Sequence, residues 1–355
     1  MSILVTGNMG YVGPAVVTRL RESRPDATLG GFDAGYFAHC LTGASSLPER
    51  RLDVQRFGDV RRFPAEATAG VDAVVHLAAI SNDPIGNAFE EVTYAINHRA
   101  TVEIARMARE AGARAFVFAS SCSVYGSAED GMRTEDSELG PLTAYAKSKV
   151  MSERDLAELA DDDFTVTCLR FATACGWSDR LRLDLVLNDF VAGAIASRRI
   201  SILSDGTPWR PLIHVRDMAR AIDWAVDRDQ ADGGAFLAVN AGRDDWNHQV
   251  RDLAEAVAAA VPGVEVSVRA DAPPDRRSYR VSFERFRALA PDHQPRVDLD
   301  EAIAELRDGL EGMGFADAEF RTSELMRLNT LRRLREEGHL DEELGWRAAR
   351  AATRA

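Results

Sequence analysis

Short apolar runs alternate with amphipathic stretches over the first 170 residues of this 355-residue chain, and this alternation limits the possible folds more than any other feature. Apolar runs with the length of buried strands lie at residues 3–5, 28–32, 71–77, 115–119 and 165–169. Helical spacing of apolar residues is found between them, at residues 14–24, 90–111 and 143–159. Apolar strands that alternate with helices predict a parallel sheet covered on both faces.

A glycine-rich turn joins the first predicted strand to the first predicted helix. Residues 6–13 read Thr-Gly-Asn-Met-Gly-Tyr-Val-Gly, where Gly7 permits a tight turn and Gly10 lets the backbone approach a pyrophosphate. Gly13 lets the helix pack on the strand, and the helix N-terminus supplies N–H donors. Asp33 ends the second predicted strand, where a carboxylate binds ribose hydroxyls and disfavours a 2′-phosphate. The pattern predicts an NAD site, although Asp33 could also be an ordinary turn residue.

The strand–helix alternation loosens after Arg170, which indicates a second, less regular unit. A loop rich in Gly, Pro and Trp is predicted at residues 204–211, followed by helices at 217–227 and 246–261 with a strand at 235–240 between them. We therefore predict an α/β protein with three parts. They are a Rossmann domain with a doubly wound parallel sheet (residues 1–170 and 213–244), a smaller α/β substrate-binding domain (171–212 and 245–330) and a C-terminal helical tail (331–355).

Composition excludes several classes of protein. The chain has 43 Lys and Arg against 56 Asp and Glu, a formal net charge of −13, which argues against binding a nucleic-acid backbone. It has no uncharged apolar stretch of about 18 residues, so no membrane span is predicted. The N-terminus lacks a basic region before its apolar run, and the four cysteines have neither disulfide nor metal-ligand spacing. We therefore expect a cytoplasmic protein with reduced thiols, and neither nucleic acid nor a membrane as a partner.

Three residues form a candidate catalytic group. Tyr145 and Lys149 lie at positions i and i+4 of the predicted helix 143–159, so their side chains are neighbours. A lysine ammonium and an oxidised nicotinamide would lower the phenol pKa from about 10 by about three units, which requires roughly 4 kcal/mol. Ser121 follows the strand at 115–119, at the sheet edge where ligands bind. A Tyr–Lys pair alone is usually an exposed helix pair, but together with the glycine turn and the strand-end serine it predicts catalysis.

In these residues the chain resembles the extended short-chain dehydrogenase/reductase superfamily, and within it the NAD-dependent nucleotide-sugar epimerase/dehydratase family. The resemblance extends from residue 1 to about residue 289, and its motifs are residues 6–13, 58–60, 76–79 and 120–126 and the pair Tyr145 and Lys149. It implies that Tyr145 is the base, Lys149 its electrostatic partner and nicotinamide-ribose ligand, and Ser121 the hydroxyl donor. Asn97 matches the family's buried structural asparagine. Besides Tyr145 and Lys149, the implied NAD-binding residues are Gly7, Gly10, Tyr11, Val12, Gly13, Asp33, Asp59, Val60, Leu77, Ala78 and Ala79.

The resemblance also implies residues that bind a nucleotide-diphosphate sugar. Asn188 and Arg210 match positions that hold the diphosphate, and Arg277 lies in a segment that closes over the nucleotide. Arginine suits this task because its planar fork binds phosphate through two hydrogen bonds, although any single arginine could instead be a solvated surface charge. The other implied substrate contacts are Ser81, Asn82, Ser123 and Thr173.

The chain departs from the family's 4,6-dehydratases at one informative place. Those enzymes have an Asp-Glu pair directly after the catalytic Ser or Thr, to eliminate water, whereas this chain has Cys122 and Ser123. This side-chain pair cannot act as that acid and base. None of the seven histidines lies in an HExxH motif or near a cysteine pair, so no metal is predicted.

These observations predict an NAD-dependent nucleotide-sugar epimerase that works by transient oxidation to a keto-sugar and re-reduction. One alternative is an NAD(P)-dependent sugar or keto-sugar oxidoreductase, either a dehydrogenase or a 4-ketoreductase, with the same Ser-Tyr-Lys site. Another is a cofactor-sensing binding protein, but such proteins usually lack the Tyr–Lys pair. The resemblance further predicts a homodimer that pairs the helices at 90–111 and 143–159 in a four-helix bundle.

Overall fold

The computed structural model describes residues 1–127, 131–268 and 278–347. The strands, in chain order, are β1 (Ser2–Thr6), β2 (Thr28–Asp33), β3 (Val54–Phe57), β4 (Ala73–His76), β5 (Ala115–Ser121), β6 (Met132–Arg133), β7 (Thr165–Phe171), β8 (Thr173–Cys175), β9 (Arg199–Ile202), β10 (Trp209–His214), β11 (Phe236–Ala241), β12 (Asn247–Gln249), β13 (Glu265–Val268) and β14 (Arg280–Val281). The α-helices are α1 (Gly13–Ser23), α2 (Asp83–Ala88), α3 (Glu90–Tyr94), α4 (Thr101–Glu110), α5 (Ala144–Ala157), α6 (Val186–Ser197), α7 (Val215–Val226), α8 (Val250–Ala260), α9 (Glu284–Leu289), α10 (Leu299–Gly312) and α11 (Arg327–Glu336).

Seven strands form one parallel sheet in the order β3-β2-β1-β4-β5-β7-β11. The order reverses between β1 and β4, which is the topology of a Rossmann fold and confirms the predicted fold class. Every strand predicted before residue 170 belongs to this sheet. The edge strand β3 lies outside the predicted set because its side chains are exposed, Val54 by 41% and Phe57 by 67%. Such a strand lacks the apolar run of a strand that is buried on both faces.

Alternate side chains of the buried strands face opposite layers of helices. On β1, Ile3 and Val5 belong to the apolar layer that contains α1 and α7, whereas Leu4 belongs to the layer that contains α4. Burial on both faces explains why these strands are continuous apolar runs in the sequence. Polar site residues are therefore expected at the ends of these strands and on neighbouring elements rather than in the middle of the strands.

The predicted helix at residues 90–111 is continuous but changes its hydrogen-bond pattern in the middle. A π-helical segment, Ala95–Ala100, separates α3 from α4. The backbone carbonyl of Asn97 in this segment accepts hydrogen bonds from Thr101 Oγ1 (2.8 Å) and from Ser152 Oγ on α5 (2.8 Å). Hydroxyl groups that donate to a helix carbonyl disturb the regular backbone hydrogen bonds of an α-helix. The helical stretch predicted for residues 90–111 is therefore confirmed, and the π-helical segment in its middle is the feature that the sequence pattern does not reveal.

The described residues outside the large sheet form smaller sheets and a helix cluster. β10 pairs with β12 and β8, β9 pairs with β13, and β6 pairs with β14, while α6, α8 and α10 pack together. Two elements predicted for this region each have one incorrect boundary. The predicted loop at 204–211 ends inside β10, and the predicted helix at 246–261 begins only at Val250, because Asn247–Gln249 pairs antiparallel with residues 209–211. This pairing joins two segments without apolar alternation, so local pattern does not reveal it.

The C-terminal segment is only partly helical. Within the described residues, the helical tail predicted for 331–355 ends at Glu336, and Gly338 follows with φ +76°, the left-handed conformation that commonly terminates helices. Beyond it, Leu340 and Leu344 are buried in the same apolar layer as α4. The division of the chain into domains stays a prediction.

All four cysteines are free and buried, in agreement with the predicted reduced thiols. In the part of the chain that the structure describes, no helix has both the length and the apolar character needed to cross a lipid bilayer.

Candidate active site

The carboxyl ends of the parallel strands open into a cavity of about 810 Å³. The cavity lies where the strand order of the sheet reverses, between β1 and β4, and this is where ligands bind in this fold. Gly7 follows β1 with φ +74°, and a Cβ there would lie 2.5 Å from the backbone N of Ala78. A Cβ on Gly13 would lie 2.0 Å from the carbonyl oxygen of Asn8. Only glycine therefore allows this close turn, which brings the N-terminus of α1 to the cavity.

Every predicted cofactor-binding residue lines this cavity: Gly7, Gly10, Tyr11, Val12, Gly13, Asp33, Asp59, Val60, Leu77, Ala78, Ala79, Tyr145 and Lys149. The Asp33 carboxylate accepts hydrogen bonds from the N–H groups of Met9 (3.0 Å) and Gly35 (2.7 Å). Burial raises the pKa of Asp33, and these two bonds oppose the rise. The Asp59 carboxylate is bonded to the Arg61 guanidinium (2.6 Å), so a contact of Asp59 with NAD would share the carboxylate with Arg61. The glycine turn, the helix N-terminus and the placement of Asp33 fit a dinucleotide.

The N-terminus of α5 positions Tyr145, the predicted catalytic tyrosine. Thr143 caps this helix: its Oγ1 accepts a hydrogen bond from the N–H of Ala146 (3.2 Å) and donates one to Asp83 Oδ1 (2.6 Å) on α2. The cap lies two residues before Tyr145, so it anchors the turn that carries the phenol. Tyr145 and Lys149 then line the cavity from one helix face, as their spacing predicts.

Lys149 and Ser121 lie beside this phenol. The Lys149 side chain is 3% exposed, its Nζ donates to the carbonyl oxygen of Ala119 (2.7 Å), and Nζ lies 5.6 Å from the centre of the Tyr145 ring. Ser121 ends β5, and its hydroxyl accepts a hydrogen bond from the N–H of Ser123 (3.1 Å). The structure therefore brings the three predicted catalytic side chains together at one wall of the cavity.

Lys149 alone does not lower the pKa of the Tyr145 phenol, and the lowered pKa expected from Lys149 together with an oxidised nicotinamide stays a prediction. Burial raises the pKa of Tyr145 to about 12, and a hydrogen bond with Ser121 opposes this only in part. Burial also lowers the pKa of Lys149 to about 7, so its ammonium is only partly charged at neutral pH. Desolvation disfavours both charged forms. A phenolate at this position therefore requires further positive charge in the cavity.

Asn97 positions the loop that follows β4, at the edge of the cavity. Its Oδ1 accepts a hydrogen bond from the N–H of Ile80 (2.8 Å), and its Nδ2 donates to the Ile80 carbonyl (2.9 Å) and to Ser148 Oγ on α5 (3.2 Å). Asn97 is fully buried, in agreement with the structural role that the resemblance implies. It thereby ties the loop to the helix that carries Tyr145.

Two side chains outside the predicted site hold the predicted sugar-facing residues. Arg182 donates through Nη1 to Ser81 Oγ (2.8 Å) and through its other nitrogens to both oxygens of Asp184 (2.6 and 2.8 Å). Asn82, which has φ +81°, donates through Nδ2 to the same carboxylate (2.8 Å). Residues 180–185 alternate charged side chains with leucines, and this alternation is the only sequence signal of their burial.

The structure brings most of the predicted substrate contacts to the cavity. Those that line it are Ser81, Asn82, Ser123, Thr173 and Arg210. Asn188 instead lies buried behind the wall, where Nδ2 donates to the Tyr11 hydroxyl (3.0 Å) and Oδ1 accepts from the N–H of Gly176 (3.1 Å). Arg277 lies outside the described residues. The roles assigned to these residues in substrate binding stay predictions.

The expectation of no metal also stays a prediction. His76 is a buried strand residue. Within the described ranges, one group of three side chains has its ligand atoms within 4.8 Å of one another, namely His39, Cys40 and Glu324. Arg333 already bonds to Glu324 at 2.6 Å, so a cation would have to displace a guanidinium there.

Fold and site together define an enzyme of the extended short-chain dehydrogenase/reductase superfamily, with a glycine turn for the dinucleotide and a Ser-Tyr-Lys group beside it. The chain belongs to the NAD dependent epimerase/dehydratase family, whose sequence model matches residues 3–242. Its cofactor is therefore NAD.

Relatives of this chain include both dehydratases and epimerases. It is similar to dTDP-glucose 4,6-dehydratase from Streptomyces griseus, at 30% identity over 311 residues, which are 85% of this chain and 92% of that protein. It is also similar to UDP-glucose 4-epimerase from Neisseria gonorrhoeae, at 29% identity over 249 residues, 62% of this chain and 71% of that protein. Among solved structures it is similar to MoeE5 in complex with UDP-glucose and NAD, with 26% identity, a TM-score of 0.73 and coverage of 88% of this chain and 99% of that one. Identity alone therefore does not decide the reaction.

We expect the unaltered protein to bind NAD more tightly than NADP, and Asp33→Ala to narrow this difference. The Asp33 carboxylate would repel a 2′-phosphate, and its loss removes a charged acceptor for the ribose hydroxyls, which should weaken NAD binding about 10- to 100-fold. Calorimetric titration with each cofactor measures both effects. Asp53→Ala is the matched control, because that carboxylate also accepts a backbone N–H, from Leu29 (2.8 Å), at the other end of β2. Equal affinities of the unaltered protein for the two cofactors would contradict the role of Asp33.

Proposed function

We propose that this protein is an NAD-dependent nucleotide-sugar epimerase, which oxidises one sugar carbon transiently to a ketone and reduces it again from the other face. The orientation of Cys122, directly after Ser121, carries this proposal. Cys122 is fully buried, and its Sγ donates to the carbonyl oxygen of Arg170 (3.1 Å), so it points away from the cavity. Ser123 offers only a hydroxyl where the 4,6-dehydratases have the second residue of their acid–base pair. These two positions favour a reaction in which the sugar keeps all its hydroxyl groups.

In this reaction Tyr145 performs the proton transfers. Its phenolate accepts the proton of the sugar hydroxyl, while the Ser121 hydroxyl hydrogen-bonds to the same reacting oxygen. Bound NAD supplies the hydride acceptor and, in the return step, the hydride donor. Tyr145 then returns its proton to the oxygen. The substrate loses and regains one hydride and one proton, so no net oxidation results.

Two cavity residues are suited to the nucleotide-sugar. Arg210 on β10 lines the cavity and donates through Nη1 to the carbonyl of Trp209 (2.8 Å), and a guanidinium so placed suits a diphosphate. The Ser123 hydroxyl oxygen is buried and has no hydrogen-bond partner among the described residues. A buried hydroxyl without a partner is a ready contact for a sugar hydroxyl.

Cytoplasmic location and a homodimer complete the proposal. The dimer would pair α3 and α4 with α5 in a four-helix bundle, as the family resemblance and the apolar content of these helices suggest. Neither feature is needed for the chemistry at Tyr145.

Turnover of a panel of nucleotide-sugars by the full-length protein tests the proposal. We expect a product with the mass of its substrate, bound NAD that stays with the protein through gel filtration, and no net absorbance change at 340 nm, because the hydride returns to the substrate. Mass spectrometry and absorbance measure these outcomes. A product lighter by one water would indicate a dehydratase, and stoichiometric formation of reduced cofactor would indicate a net oxidoreductase. Either result would overturn the epimerase assignment.

A further inference from the structure

Two buried arginines in the cavity wall have no role in the chemistry described above. Arg182 precedes α6 and is 6% exposed, while Arg327 is the first residue of α11 and is 2% exposed. Both arginines line the same cavity as the glycine turn. Buried guanidinium groups are costly unless their charge is balanced. The hydrogen-bond and ion-pair partners of these two arginines therefore indicate their function.

Among the described residues, Arg327 forms no ion pair at bonding distance. Its Nη2 donates to the carbonyl oxygens of Arg180 (2.7 Å) and Leu181 (3.1 Å), and its guanidinium lies 4.6 Å from the centre of the Phe37 ring. Its Nη1 is buried and has no hydrogen-bond partner within the part of the chain that the structure describes. Burial lowers the pKa of Arg327 to about 10, and a nearby thiol, Cys40, opposes this only in part. One donor of a buried cation is thus left for a ligand.

Arg182 is paired with a single carboxylate, that of Asp184. In the described structure, Arg327 is not within hydrogen-bonding distance of this carboxylate. Asp184 binds Arg182 through both oxygens and also accepts a hydrogen bond from Asn82. Although burial opposes it, Asp184 raises the pKa of Arg182, whereas the charge of Arg182 helps to lower that of Arg327. Arg180, in the same stretch, is paired with Glu49 (2.8 Å). Arg182, Arg327 and Asp184 therefore leave one positive charge in this wall, which an anionic ligand would neutralise.

The contacts of the two arginines place this charge along the cavity. Arg327 stacks on Phe37, four residues after Asp33, at the end of the cavity where the adenosine ribose is expected. Arg182 bonds to Ser81 in the loop after β4, and its charge acts on Tyr145, which is expected beside the nicotinamide. The group of a dinucleotide that lies between these two ends is its pyrophosphate. We propose that Arg327 and Arg182 bind this pyrophosphate from the wall formed by residues 180–185 and the start of α11, an inference that rests on the proposed NAD site.

The C-terminal segment explains how a residue so late in the chain reaches the cofactor. The Tyr36 hydroxyl donates to the carbonyl of Leu344 (2.5 Å), and the Trp346 indole N–H donates to the carbonyl of Ala34 (2.6 Å). These contacts hold the segment that follows Asp33 against the chain that follows α11. Docking of residues 344–346 against residues 34–36 thus keeps Phe37 and Arg327 together.

Titration of the full-length protein, freed of bound NAD, tests the proposal. We expect Arg327→Met to bind NAD about 10- to 100-fold more weakly, because it loses a charge-assisted hydrogen bond to phosphate. Arg327→Lys keeps the charge but loses the planar guanidinium, so its loss of NAD affinity should be smaller, about 3- to 10-fold. Arg335→Met is the matched control on the same helix, since that guanidinium stacks on Phe89 at 5.3 Å and lies outside the cavity lining. Its NAD affinity should change by less than about twofold.

Two further ligands separate the possible sources of a phosphate. Adenosine has no phosphate, and UDP reports the diphosphate of the substrate, so Arg327→Met should leave the affinity for both unchanged. Loss of UDP affinity with unchanged NAD affinity would overturn the proposal in favour of a substrate site. Unchanged NAD affinity in folded Arg327→Met would also overturn it, and if that variant does not fold, unchanged NAD affinity in Arg327→Lys does the same. No sugar turnover enters these titrations, so failure of the epimerase assignment would be seen separately.

Discussion

Tyr145→Phe is expected to abolish turnover while the protein still binds NAD. The variant keeps the aromatic ring and loses only the phenol oxygen, which is the proton acceptor of the proposed reaction. General base catalysis typically contributes about 10²- to 10⁴-fold to a rate, so turnover should fall by at least that factor. Steady-state rates with the true substrate and calorimetric titration with NAD measure the two parts. Near-normal turnover by Tyr145→Phe would show that the chemistry takes place elsewhere.

Tyr279→Phe is the matched control for this variant. Tyr279 lines the same cavity, and burial also raises its pKa, so its substitution removes a similar hydroxyl without removing the neighbour of Lys149. We expect it to retain at least about ten times the activity of Tyr145→Phe. The reverse order of activities would assign the proton transfer to Tyr279 instead.

The pH dependence gives the same prediction a second readout. Without cofactor, burial raises the pKa of Tyr145 to about 12, so its phenolate should form only in strongly alkaline solution. Positive charge on bound, oxidised NAD should lower this pKa. Because the phenolate is the active form, turnover should rise with pH and level off with an apparent pKa below 10. Ultraviolet difference spectra of the unaltered protein against Tyr145→Phe should show the phenolate forming at lower pH once NAD is bound. Turnover that falls from pH 6 to pH 9 would contradict a phenolate base.

Glu153→Gln is expected to lower the free energy of unfolding by about 3 kcal/mol or more. Glu153 on α5 accepts hydrogen bonds from Arg170 on β7, at 2.7 Å to Nη2, and from the Ser120 hydroxyl, at 2.5 Å. Both charged side chains are less than a tenth exposed. Removing one partner of such a pair leaves a buried charge without compensation, which typically costs about 3–5 kcal/mol. Urea denaturation followed by circular dichroism measures the change.

Glu103→Gln provides the comparison for this stability change. Glu103 and Arg106 form an ion pair on the surface of α4, with both side chains about half exposed. Exposed pairs contribute only about 0–1 kcal/mol, so the control should remain close to the unaltered protein. A double variant, Glu153→Gln with Arg170→Met, should lose less than the sum of its single changes, because neither charge is then buried alone. Similar small losses for Glu153→Gln and Glu103→Gln would show that the buried pair adds no more than a surface pair.

Glu153 also connects stability with the site. It lies four residues after Lys149 on the same helix face, and its charge raises the pKa of Lys149 against the larger effect of burial. The substitution should therefore reduce the fraction of charged Lys149 at neutral pH. The sequence pattern Tyr145, Lys149, Glu153 would have allowed this expectation, since all three positions are spaced by four.

The large sheet and the core of the candidate site could be predicted because their signals are local. Buried parallel strands are continuous apolar runs, and the glycine turn and the Tyr145–Lys149 spacing each lie within a few residues of one element. Family membership and the Rossmann fold follow from the same segments. Where a strand is exposed, as in β3, or pairs across a long sequence separation, as β10 does with β12, the local pattern does not carry the information.

Only the tertiary structure decided the electrostatics of the site. The sequence places a lysine beside Tyr145, but packing buries both groups, and desolvation raises the pKa of the phenol and lowers that of the lysine. Arg182 and Arg327 each resemble an ordinary surface charge in the sequence. They become buried cavity residues because α11 and the chain after it dock near the strand end that carries Asp33. Burial is a property of the whole fold, so the chain alone determined which chemical groups are available, and the packing determined their charge.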